Sequence, residues 1–404
     1  MGLTIVGGIY LEQSVFPSRE VLYGSGARAA AVLRNLNPER TLVSFVGDDR
    51  RESIEYHAKK VWHTPLTPHR VPHTVSFQYY HGLSTPVIRP SRLPFSSAPL
   101  IEVTGDAILQ FGMLEGNAIV HGKRVVFDPQ NPESPLLFHN IGSTAEEIAY
   151  VLNRNEARKL AETDNLDIAG AKLLGEEKVS VVVIKSGADG AFVFSHDGKW
   201  NIPAYETNYI WPIGSGDVFA AIFAHFWASQ QLPPEKAADY ASRGVAIYCS
   251  GNGSPLDESE LRGEDFKFPV LAPKKSPKDV TVYIAGPFFT MGQLWLVEEA
   301  RNALSAAGFR VFSPFHDVGL GDAARVVPKD LDGIMDADVV LALCDGLDSG
   351  TLFEVGYAVK AGKSVVAFGE QTSDESMKML VGSGCKVFRD FTTAIYHTHW
   401  EALK

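Results

Sequence analysis

Residues 211–221 read Trp211-Pro212-Ile213-Gly214-Ser215-Gly216-Asp217-Val218-Phe219-Ala220-Ala221, a glycine-rich turn that leads into an apolar run. Two glycines separated by one residue let the backbone turn sharply and bring its N–H groups close to an anion. A helix that begins at Asp217 would place the positive end of its dipole at the same point. The stretch therefore predicts either an ordinary helix start capped by Asp217 or an anion-binding turn with a carboxylate beside it.

Strand-like and helix-like runs alternate around this turn. Short β-branched runs bounded by Gly, Pro or Asp predict strands, and runs with helical periodicity predict helices between them. This alternation favours the α/β class, with mostly parallel sheets covered by helices. The predicted strands are 3–6, 41–46, 124–128 and 179–185, and the predicted helices are 26–36, 144–160 and 217–228.

The pattern restarts near residue 280, after a stretch rich in proline and lysine. Residues 268–279 contain three prolines and three lysines, which predict a stiff, solvated linker. The 404 residues are enough for two domains. We predict a first domain over 1–270, a linker over 271–279 and a second α/β domain over 280–404. Its predicted strands are 280–285, 311–312, 339–344 and 364–368, and its predicted helices are 294–307, 330–336 and 351–360.

The composition excludes several classes of protein. Apolar residues make up 45% and charged residues 21% of the chain, as in ordinary globular proteins. The formal charge of -11 repels phosphate backbones, so we expect no nucleic-acid partner. No apolar run approaches the ~18 residues that span a bilayer, and the first residues do not resemble a signal peptide. Three widely separated cysteines argue against a disulfide framework and favour the cytoplasm.

The second domain carries acidic residues at the ends of predicted elements. Glu354 falls in the first two turns of a predicted helix and has small or apolar neighbours, so its carboxylate needs a partner. Asp348 lies just before this helix, and Asp330 begins the helix that leads into strand 339–344. The ends of parallel strands meet at one edge of a sheet, where ligands bind. Glu354 is then either a helix-dipole partner or one of the acids of a glycosidic site.

Several motifs of the first domain, in their order, resemble the PfkB/ribokinase family of sugar and nucleoside kinases. This resemblance covers about residues 3–255 and implies a ribokinase-like sandwich domain that uses ATP and Mg²⁺. The stretches that carry it are Gly24-Ser25-Gly26-Ala27-Arg28-Ala29-Ala30, Val46-Gly47-Asp48-Asp49, Phe127-Asp128-Pro129-Gln130, Asn153-Arg154-Asn155-Glu156, residues 182–190 and the turn before Asp217.

The resemblance also implies roles for single residues. Asp217 would be the general base for the acceptor hydroxyl, and Glu156 with Asn153 would organise Mg²⁺ through water. The backbone amides of the turn would hold the charge that develops on the transferred phosphoryl group. On this basis the ATP-side residues are Gly214, Ser215, Gly216, Asn153, Glu156, Lys185 and Gly187, and the acceptor-side residues are Gly24, Gly26 and Arg28.

The first domain departs from the family pattern at three positions. Trp211 and Glu12 each stand where the family usually has aspartate, and Arg28 stands where it has asparagine. A charged Arg28 favours an anionic acceptor group such as a phosphate or a carboxylate. About seventeen residues separate the first strand from Gly24, so we expect no long lid over the acceptor. The same departures also support an alternative in which this domain is a non-catalytic sensor or scaffold.

The second domain resembles the nucleoside 2-deoxyribosyltransferase family over about residues 280–370. The motifs are Tyr283-Ile284-Ala285-Gly286-Pro287-Phe288, Asp330-Leu331-Asp332-Gly333-Ile334 and residues 348–358. The resemblance implies a doubly wound, flavodoxin-like parallel sheet and a homo-oligomer, with no cofactor. It also implies that Glu354 is the nucleophile, that Asp348 holds the sugar and orients Glu354, and that Asp330 helps to protonate the departing base. Tyr283 would position Glu354, and Gly286 and Phe288 would contact the substrate.

Together these patterns predict a bifunctional enzyme of nucleoside metabolism. Its partners would be small molecules, namely nucleosides, nucleobases or sugars, with no membrane partner. Transfer of the sugar to a second base and hydrolysis by water use the same nucleophile, so both stay open. The alternative is a hydrolase of a nucleotide or of NAD joined to a kinase-like domain without catalytic activity.

Overall fold

The computed structural model describes residues 1–90, 98–131, 133–253, 255–263 and 266–404. Its backbone contacts divide the chain into two compact units. The N-terminal unit comprises Met1–Thr207 and Trp211–Val270, and the C-terminal unit comprises Asn208–Ile210 and Leu271–Lys404. Every helix within the described ranges is too short or too polar to cross a membrane.

The described residues of the N-terminal unit form two sheets. Its strands are β1 (Thr4–Val6), β2 (Leu11–Phe16), β3 (Arg19–Leu22), β4 (Thr41–Gly47), β5 (Leu66–Val71), β6 (Ser76–His81), β7 (Val87–Arg89), β8 (Ile101–Phe111), β9 (Ala118–Asp128), β10 (Thr144–Asn153), β11 (Val179–Lys185), β12 (Ala191–Ser195) and β13 (Gly198–Ile202). The large sheet has the order β13-β12-β11-β10-β9-β8-β1-β4-β5 and is parallel from β11 to β5. Strands β12 and β13 are antiparallel additions at one edge.

The helices of the N-terminal unit cover the large sheet, as the α/β class requires. They are α1 (Gly24–Val32), α2 (Arg51–Lys60), α3 (Arg154–Ala161), α4 (Leu166–Leu174), α5 (Ser215–Ala224), α6 (Pro234–Ile247) and α7 (Glu258–Arg262). The helix predicted over 144–160 is wrong, because 144–153 form β10 and the helix begins at Arg154. The run 148–152 is apolar throughout and pairs with β9 and β11, so its burial on both faces overrides the helix-forming residues before it.

A separate small sheet with the order β3-β2-β6-β7 belongs to the same unit. The expectation of no long lid over the acceptor stays a prediction. The stretch before Gly24 supplies two strands, and residues 76–89 add two more from a later part of the chain.

The C-terminal unit is built on one fully parallel sheet. Its strands are β14 (Thr281–Ala285), β15 (Arg310–Phe312), β16 (Val339–Leu343), β17 (Ser364–Phe368) and β18 (Lys386–Phe388). The order β15-β14-β16-β17-β18 is that of a flavodoxin-like doubly wound sheet, which confirms the predicted class. Its helices are α8 (Met291–Ala306), α9 (Pro314–Asp317), α10 (Ala323–Asp336), α11 (Ser349–Lys360), α12 (Asp374–Gly382) and α13 (Phe391–Leu403).

The helix that carries Asp330 begins earlier than predicted. It starts at Ala323, where the Asp322 side chain accepts a hydrogen bond of 3.0 Å from the Arg325 amide. Pro328 lies inside this helix, and a proline within a helical pattern resembles a boundary. Asp330 is therefore placed within the helix and not at its head.

Candidate active sites in the two units

The topology of the C-terminal unit brings Tyr283 and Glu354 together. Tyr283 lies on β14, which pairs in parallel with β16, and Glu354 lies on α11, the helix that follows β16. The sheet order reverses between β14 and β16, and such a switch point opens the crevice in which α/β proteins bind ligands. The buried Tyr283 hydroxyl donates a 2.7 Å hydrogen bond to Glu354 Oε1. The predicted pairing of a positioning tyrosine with the glutamate is thus present in the structure.

The environment of Glu354 disfavours its charged form. Burial raises the pKa of Glu354 to about 7, and the negative charges of Asp330 and Asp348 act in the same direction. The hydrogen bond from Tyr283 opposes this shift because it stabilises the carboxylate. Carboxyl groups with a pKa near neutrality are typical of catalytic sites.

The two other predicted acids lie close enough to act on Glu354 electrostatically. Asp348 caps α11, and its Oδ2 accepts hydrogen bonds from the Thr351 amide at 2.8 Å and the Thr351 hydroxyl at 3.1 Å. Burial raises the pKa of Asp330. Asp330 Oδ1 is buried and has no hydrogen-bond partner among the residues that the structure describes. A buried carboxylate oxygen without a hydrogen bond disfavours the charged form, in the same direction as the raised pKa of Asp330.

Gly286 and Phe288 follow β14 at the same end of the sheet. A side chain at Gly286 would begin 3.1 Å from Leu343 Cβ, so glycine allows the loop to pack against β16. Phe288 is half-buried between Phe289 and Phe315, whose ring centroids lie 5.1 and 5.3 Å away. This aromatic group offers a stacking surface, but its mutual packing also explains it.

In the N-terminal unit, the glycine-rich turn leads into α5 as predicted. Gly214 has a φ of +80° and precedes the helix, and Asp217 lies in its first turn. A Cβ at Gly214 would fall 1.9 Å from Arg28 Nε, so the Arg28 side chain fills the space beside this glycine. The Ser215 amide donates to the Pro212 carbonyl at 2.9 Å, so one of the three amides assigned to phosphate binding is used within the turn.

Asp217 is held by two side chains. Its Oδ1 accepts a 2.6 Å hydrogen bond from Gln130 Nε2, and its Oδ2 accepts one of 3.2 Å from Arg28 Nε. Burial raises the pKa of Asp217 to about 6, while the Arg28 charge counters part of this effect. The carboxylate is therefore still mostly ionised at neutral pH, as a general base must be.

Arg28 is buried, with only 3% of its side chain exposed, and links Asp217 to Glu12 through ion pairs. It forms a second ion pair with Glu12 and donates a 2.7 Å hydrogen bond to the Tyr248 hydroxyl. Glu12 in turn accepts a 3.0 Å hydrogen bond from the Gly24 amide. Two carboxylates of the protein therefore already balance the Arg28 charge, and the expectation that Arg28 recognises an anionic acceptor stays a prediction.

The predicted acceptor-side glycines have different surroundings. Gly24 begins α1 with a φ of +66°, a conformation that glycine adopts without strain. A Cβ at Gly26 would lie 2.6 Å from the Gly7 carbonyl oxygen, so this glycine serves the close packing of α1 on the chain after β1. This close packing by itself explains why position 26 is a glycine, without any contact to a substrate.

The predicted ATP-side residues lie at the ends of neighbouring strands. Lys185, at the end of β11, forms an ion pair with the buried Asp128, and its Nζ lies 3.3 Å from where a Cβ of Gly216 would be. Burial disfavours the ammonium group, but the charges of Asp128 and Glu156 raise the pKa of Lys185. Gly187 begins the short helical turn that follows. A buried cation therefore lies beside the glycine-rich turn, and it is already paired with Asp128.

Asn153 and Glu156 form a reciprocal cap at the start of α3. Asn153 Oδ1 accepts a 2.9 Å hydrogen bond from the Glu156 amide, and Glu156 Oε2 accepts one of 2.9 Å from the Asn153 amide. No group of three metal-ligating side chains converges within the described part of the chain. These residues therefore fit Mg²⁺ only through water, and they do not form a direct ligand cage.

Sequence reasoning did not single out two side chains that complete the N-terminal site. Gln130, which donates a hydrogen bond to Asp217, directly follows the Asp128-Pro129 pair that carried the resemblance. Its place in that motif could therefore have marked it as a candidate site residue. Tyr248, which contacts Arg28, lies 220 residues away from it and carries no local signal.

Both units are thus α/β structures with a buried, charged site, and family models match a segment of each. Residues 118–257 match the model of the pfkB family carbohydrate kinases, and residues 282–387 match that of the nucleoside 2-deoxyribosyltransferases. The two predicted resemblances are confirmed, with the kinase-family segment first and the transferase-family segment second. No curated protein matches the chain significantly.

Solved structures similar to the chain include several kinases. The ribokinase from Thermotoga maritima is 17% identical, with a TM-score of 0.46, over 65% of this chain and 98% of that chain. A putative ribokinase II from E. coli is 17% identical, with a TM-score of 0.49, over 66% and 99%. The nucleoside kinase from Methanocaldococcus jannaschii is 17% identical, with a TM-score of 0.45, over 62% and 92%.

Proposed function

We propose that the protein is a bifunctional enzyme of nucleoside metabolism. The C-terminal unit cleaves or exchanges the N-glycosidic bond of a nucleoside or deoxynucleoside, and the N-terminal unit phosphorylates a sugar or nucleoside with ATP. The observation that carries this proposal is the Tyr283–Glu354 pair at the switch point, with Asp330 and Asp348 acting on the same carboxylate. The two family matches support it.

The C-terminal chemistry follows from the contacts of Glu354. Tyr283 holds Oε1, which leaves Oε2 to attack C1′ of the sugar. The C1′–N bond breaks as the new C1′–O bond forms, and its electron pair leaves with the base. Asp330 delivers a proton to that base, because burial raises its pKa and so keeps more of this carboxyl group protonated. A second base or a water molecule then displaces Glu354 from C1′ and passes its proton to Asp330, which regenerates both the Glu354 carboxylate and the protonated Asp330.

An experiment with and without a second base distinguishes transfer of the sugar from its hydrolysis. The protein is incubated with a deoxynucleoside, with and without a second base, and free sugar and new nucleoside are measured. Product that forms only with the second base supports transfer, and free sugar formed without it supports hydrolysis. Absence of both would contradict the proposed function of this unit.

Changing Tyr283 to Phe should shift the pH dependence of cleavage. The Tyr283 hydrogen bond lowers the pKa of Glu354, so its loss raises that pKa above about 7 and protonates more of the nucleophile near neutrality. We expect kcat/KM to fall about five- to tenfold more at pH 6 than at pH 8, relative to the parent. A pH–rate profile of both proteins measures this, and an equal loss at all pH values would contradict the positioning role.

In the N-terminal unit we assign Asp217 as the base that takes the proton of the acceptor hydroxyl. Gln130 orients this carboxylate, and the Gly214–Gly216 turn with Lys185 faces the transferred phosphoryl group. Bound ATP with Mg²⁺ would supply the phosphoryl group and the counter-charge. Glu156 and Asn153 would approach the metal through water. Asp217 Oδ2 is engaged by Arg28, so the acceptor hydroxyl must approach beside or in place of that guanidinium.

The ion pair between Arg28 and Asp217 also favours the alternative for this unit. An internal cation makes a carboxylate a weaker proton acceptor than it would be without that cation, because the cation stabilises the charged form. In this second candidate function, the kinase-like unit binds a ligand without phosphorylating it, and the C-terminal unit hydrolyses a nucleotide or NAD.

A further inference from the structure

Arg28 lies between two carboxylates that belong to different parts of the N-terminal unit. Glu12 is on β2 of the small sheet, and Asp217 is in the first turn of α5. The guanidinium forms an ion pair with each of them, through Nη2 to Glu12 and through Nε to Asp217 Oδ2 at 3.2 Å. Because one cation is shared by two acids, it can leave one of them without becoming an uncompensated buried charge.

Two tyrosines hold the Arg28 side chain against the glycine-rich turn. The Tyr248 hydroxyl accepts a 2.7 Å hydrogen bond from Arg28 Nη1 and donates one of 2.8 Å to the Ile213 carbonyl. It therefore ties the guanidinium to the residue that precedes Gly214. The ring centroids of Tyr23 and Tyr248 lie 5.1 and 5.7 Å from Arg28 Cζ, within the range of cation–π contacts. These contacts fix the guanidinium in its place beside Asp217.

The acceptor hydroxyl of the proposed kinase reaction needs the same place. To pass its proton to Asp217, the hydroxyl must come within about 2.6–3.2 Å of a carboxylate oxygen. Gln130 Nε2 already donates to Oδ1 at 2.6 Å, Arg28 Nε donates to Oδ2, and only 14% of the Asp217 side chain is exposed. Both oxygens of the base are thus engaged by the protein. Gln130 is neutral, whereas Arg28 both covers Oδ2 and stabilises the charged carboxylate.

We propose that the ion pair between Arg28 and Asp217 is autoinhibitory, and that a molecule phosphorylates only when the guanidinium withdraws from Asp217 Oδ2 and stays with Glu12. The ion pair with Glu12 allows this withdrawal, because Arg28 keeps a counter-charge in both states. The rate of the unit is then set by the fraction of molecules in the withdrawn state. This inference rests on the proposed kinase function and adds its control by a residue of the same unit.

Combining Glu12→Gln with Arg28→Gln tests the inference, because this double variant removes one cation and one anion together. ADP release from ATP with Mg²⁺ is measured on the full chain, with adenosine, cytidine, thymidine, ribose and 2-deoxyribose as acceptors. We expect the double variant to be about tenfold faster than the parent, as for a withdrawn state that holds about a tenth of the parent molecules. Arg51→Gln with Glu55→Gln, an exposed ion pair on α2, is the matched control and should keep the parent rate.

Two single variants should change the rate in opposite directions. Glu12→Gln leaves Arg28 with Asp217 as its remaining carboxylate partner, so we expect a rate about tenfold lower. Tyr248→Phe removes the hydroxyl that holds the guanidinium but keeps every charge, so we expect a rate about threefold higher. If Glu12 served to bind the acceptor, the double variant would also be slower than the parent. If Arg28 assisted the reaction, Tyr248→Phe would be slower. Either result would overturn the inference.

Thermal unfolding gives a readout that does not depend on activity. Arg28→Gln alone leaves the carboxylates of Glu12 and Asp217 without their shared cation, so it should lower the Tm more than the double variant does. A double variant less stable than Arg28→Gln would show that the three groups do not share one charge balance, and would contradict the inference. Should the double variant fail to fold, the rate of Tyr248→Phe decides.

The failure of the inference and the failure of the kinase give different results. If the parent releases ADP with an acceptor and neither the double variant nor Tyr248→Phe is faster, the inference is overturned and the kinase stands. If the parent and all folded variants release no ADP with any acceptor of the panel, the kinase is wrong and the inference falls with it.

Discussion

Glu354→Ala should abolish N-glycosidic cleavage with little effect on folding. The substitution removes the atom that bonds to C1′, so we expect kcat/KM to fall on the order of 10³-fold or more. Burial and two neighbouring acids raise the pKa of Glu354 to about 7, so its carboxyl group lowers the stability of the folded protein at neutral pH. Removing the group should therefore not impair folding. Base release from a deoxynucleoside, measured by chromatography, gives the rate, and a thermal scan gives the stability.

Glu375→Ala is the matched control for this experiment. Glu375 is an exposed glutamate of the same unit, on α12, and pairs with Lys378 at the surface. We expect it to retain the parent rate. A Glu354→Ala protein that keeps near-normal turnover would refute the assignment of the nucleophile, and one that loses its thermal transition would show that Glu354 is needed for folding.

Asp217→Asn should remove acceptor-dependent ADP release. Asparagine keeps the shape of the side chain but cannot accept the hydroxyl proton, so we expect a loss on the order of 10²- to 10⁴-fold in kcat. In the parent, the rate should fall below about pH 6, because burial raises the pKa of Asp217 to about 6 and its protonated form is inactive. ADP release from ATP is measured over a panel of nucleosides and pentoses.

The control for Asp217 is Asp167→Asn. Asp167 is exposed at the start of α4, where it pairs with Lys199, and its loss should not change the rate. If the parent itself shows no acceptor-dependent ADP release, the kinase role is lost and the non-catalytic alternative gains support. If Asp217→Asn is as active as the parent, phosphorylation occurs without this base.

The elements that sequence predicted best are those with a strong local pattern. Strands 179–185 and 364–368 are continuous apolar runs between turn residues, and the structure reproduces their bounds. The segment 144–160 failed because Ala145, Glu146 and Glu147 favour a helix locally. Pairing with β9, and from Ile148 onwards also with β11, makes the segment a strand instead. The small sheet was missed because its strands come from two distant stretches that lie mostly on the surface.

The same distinction holds for the candidate sites: residues within a local motif could be predicted, and contacts between distant segments could not. Tyr283 and Glu354 were predictable together, because each lies in a motif and parallel strands bring the ends of such motifs to one edge. The partners of Arg28 were not predictable, because Asp217 is 189 residues away and the two meet only through the packing of α1 and α5.

Mass spectrometry of the intact protein would detect a covalent bond between Glu354 and a sugar carbon. The protein is mixed briefly with a deoxynucleoside, quenched in acid and analysed, with Glu354→Ala treated identically. We expect a mass increase of one deoxyribosyl group in the parent, located in the peptide that contains Glu354, and none in the variant. Turnover without any adduct in the parent, or an adduct that persists in Glu354→Ala, would contradict it.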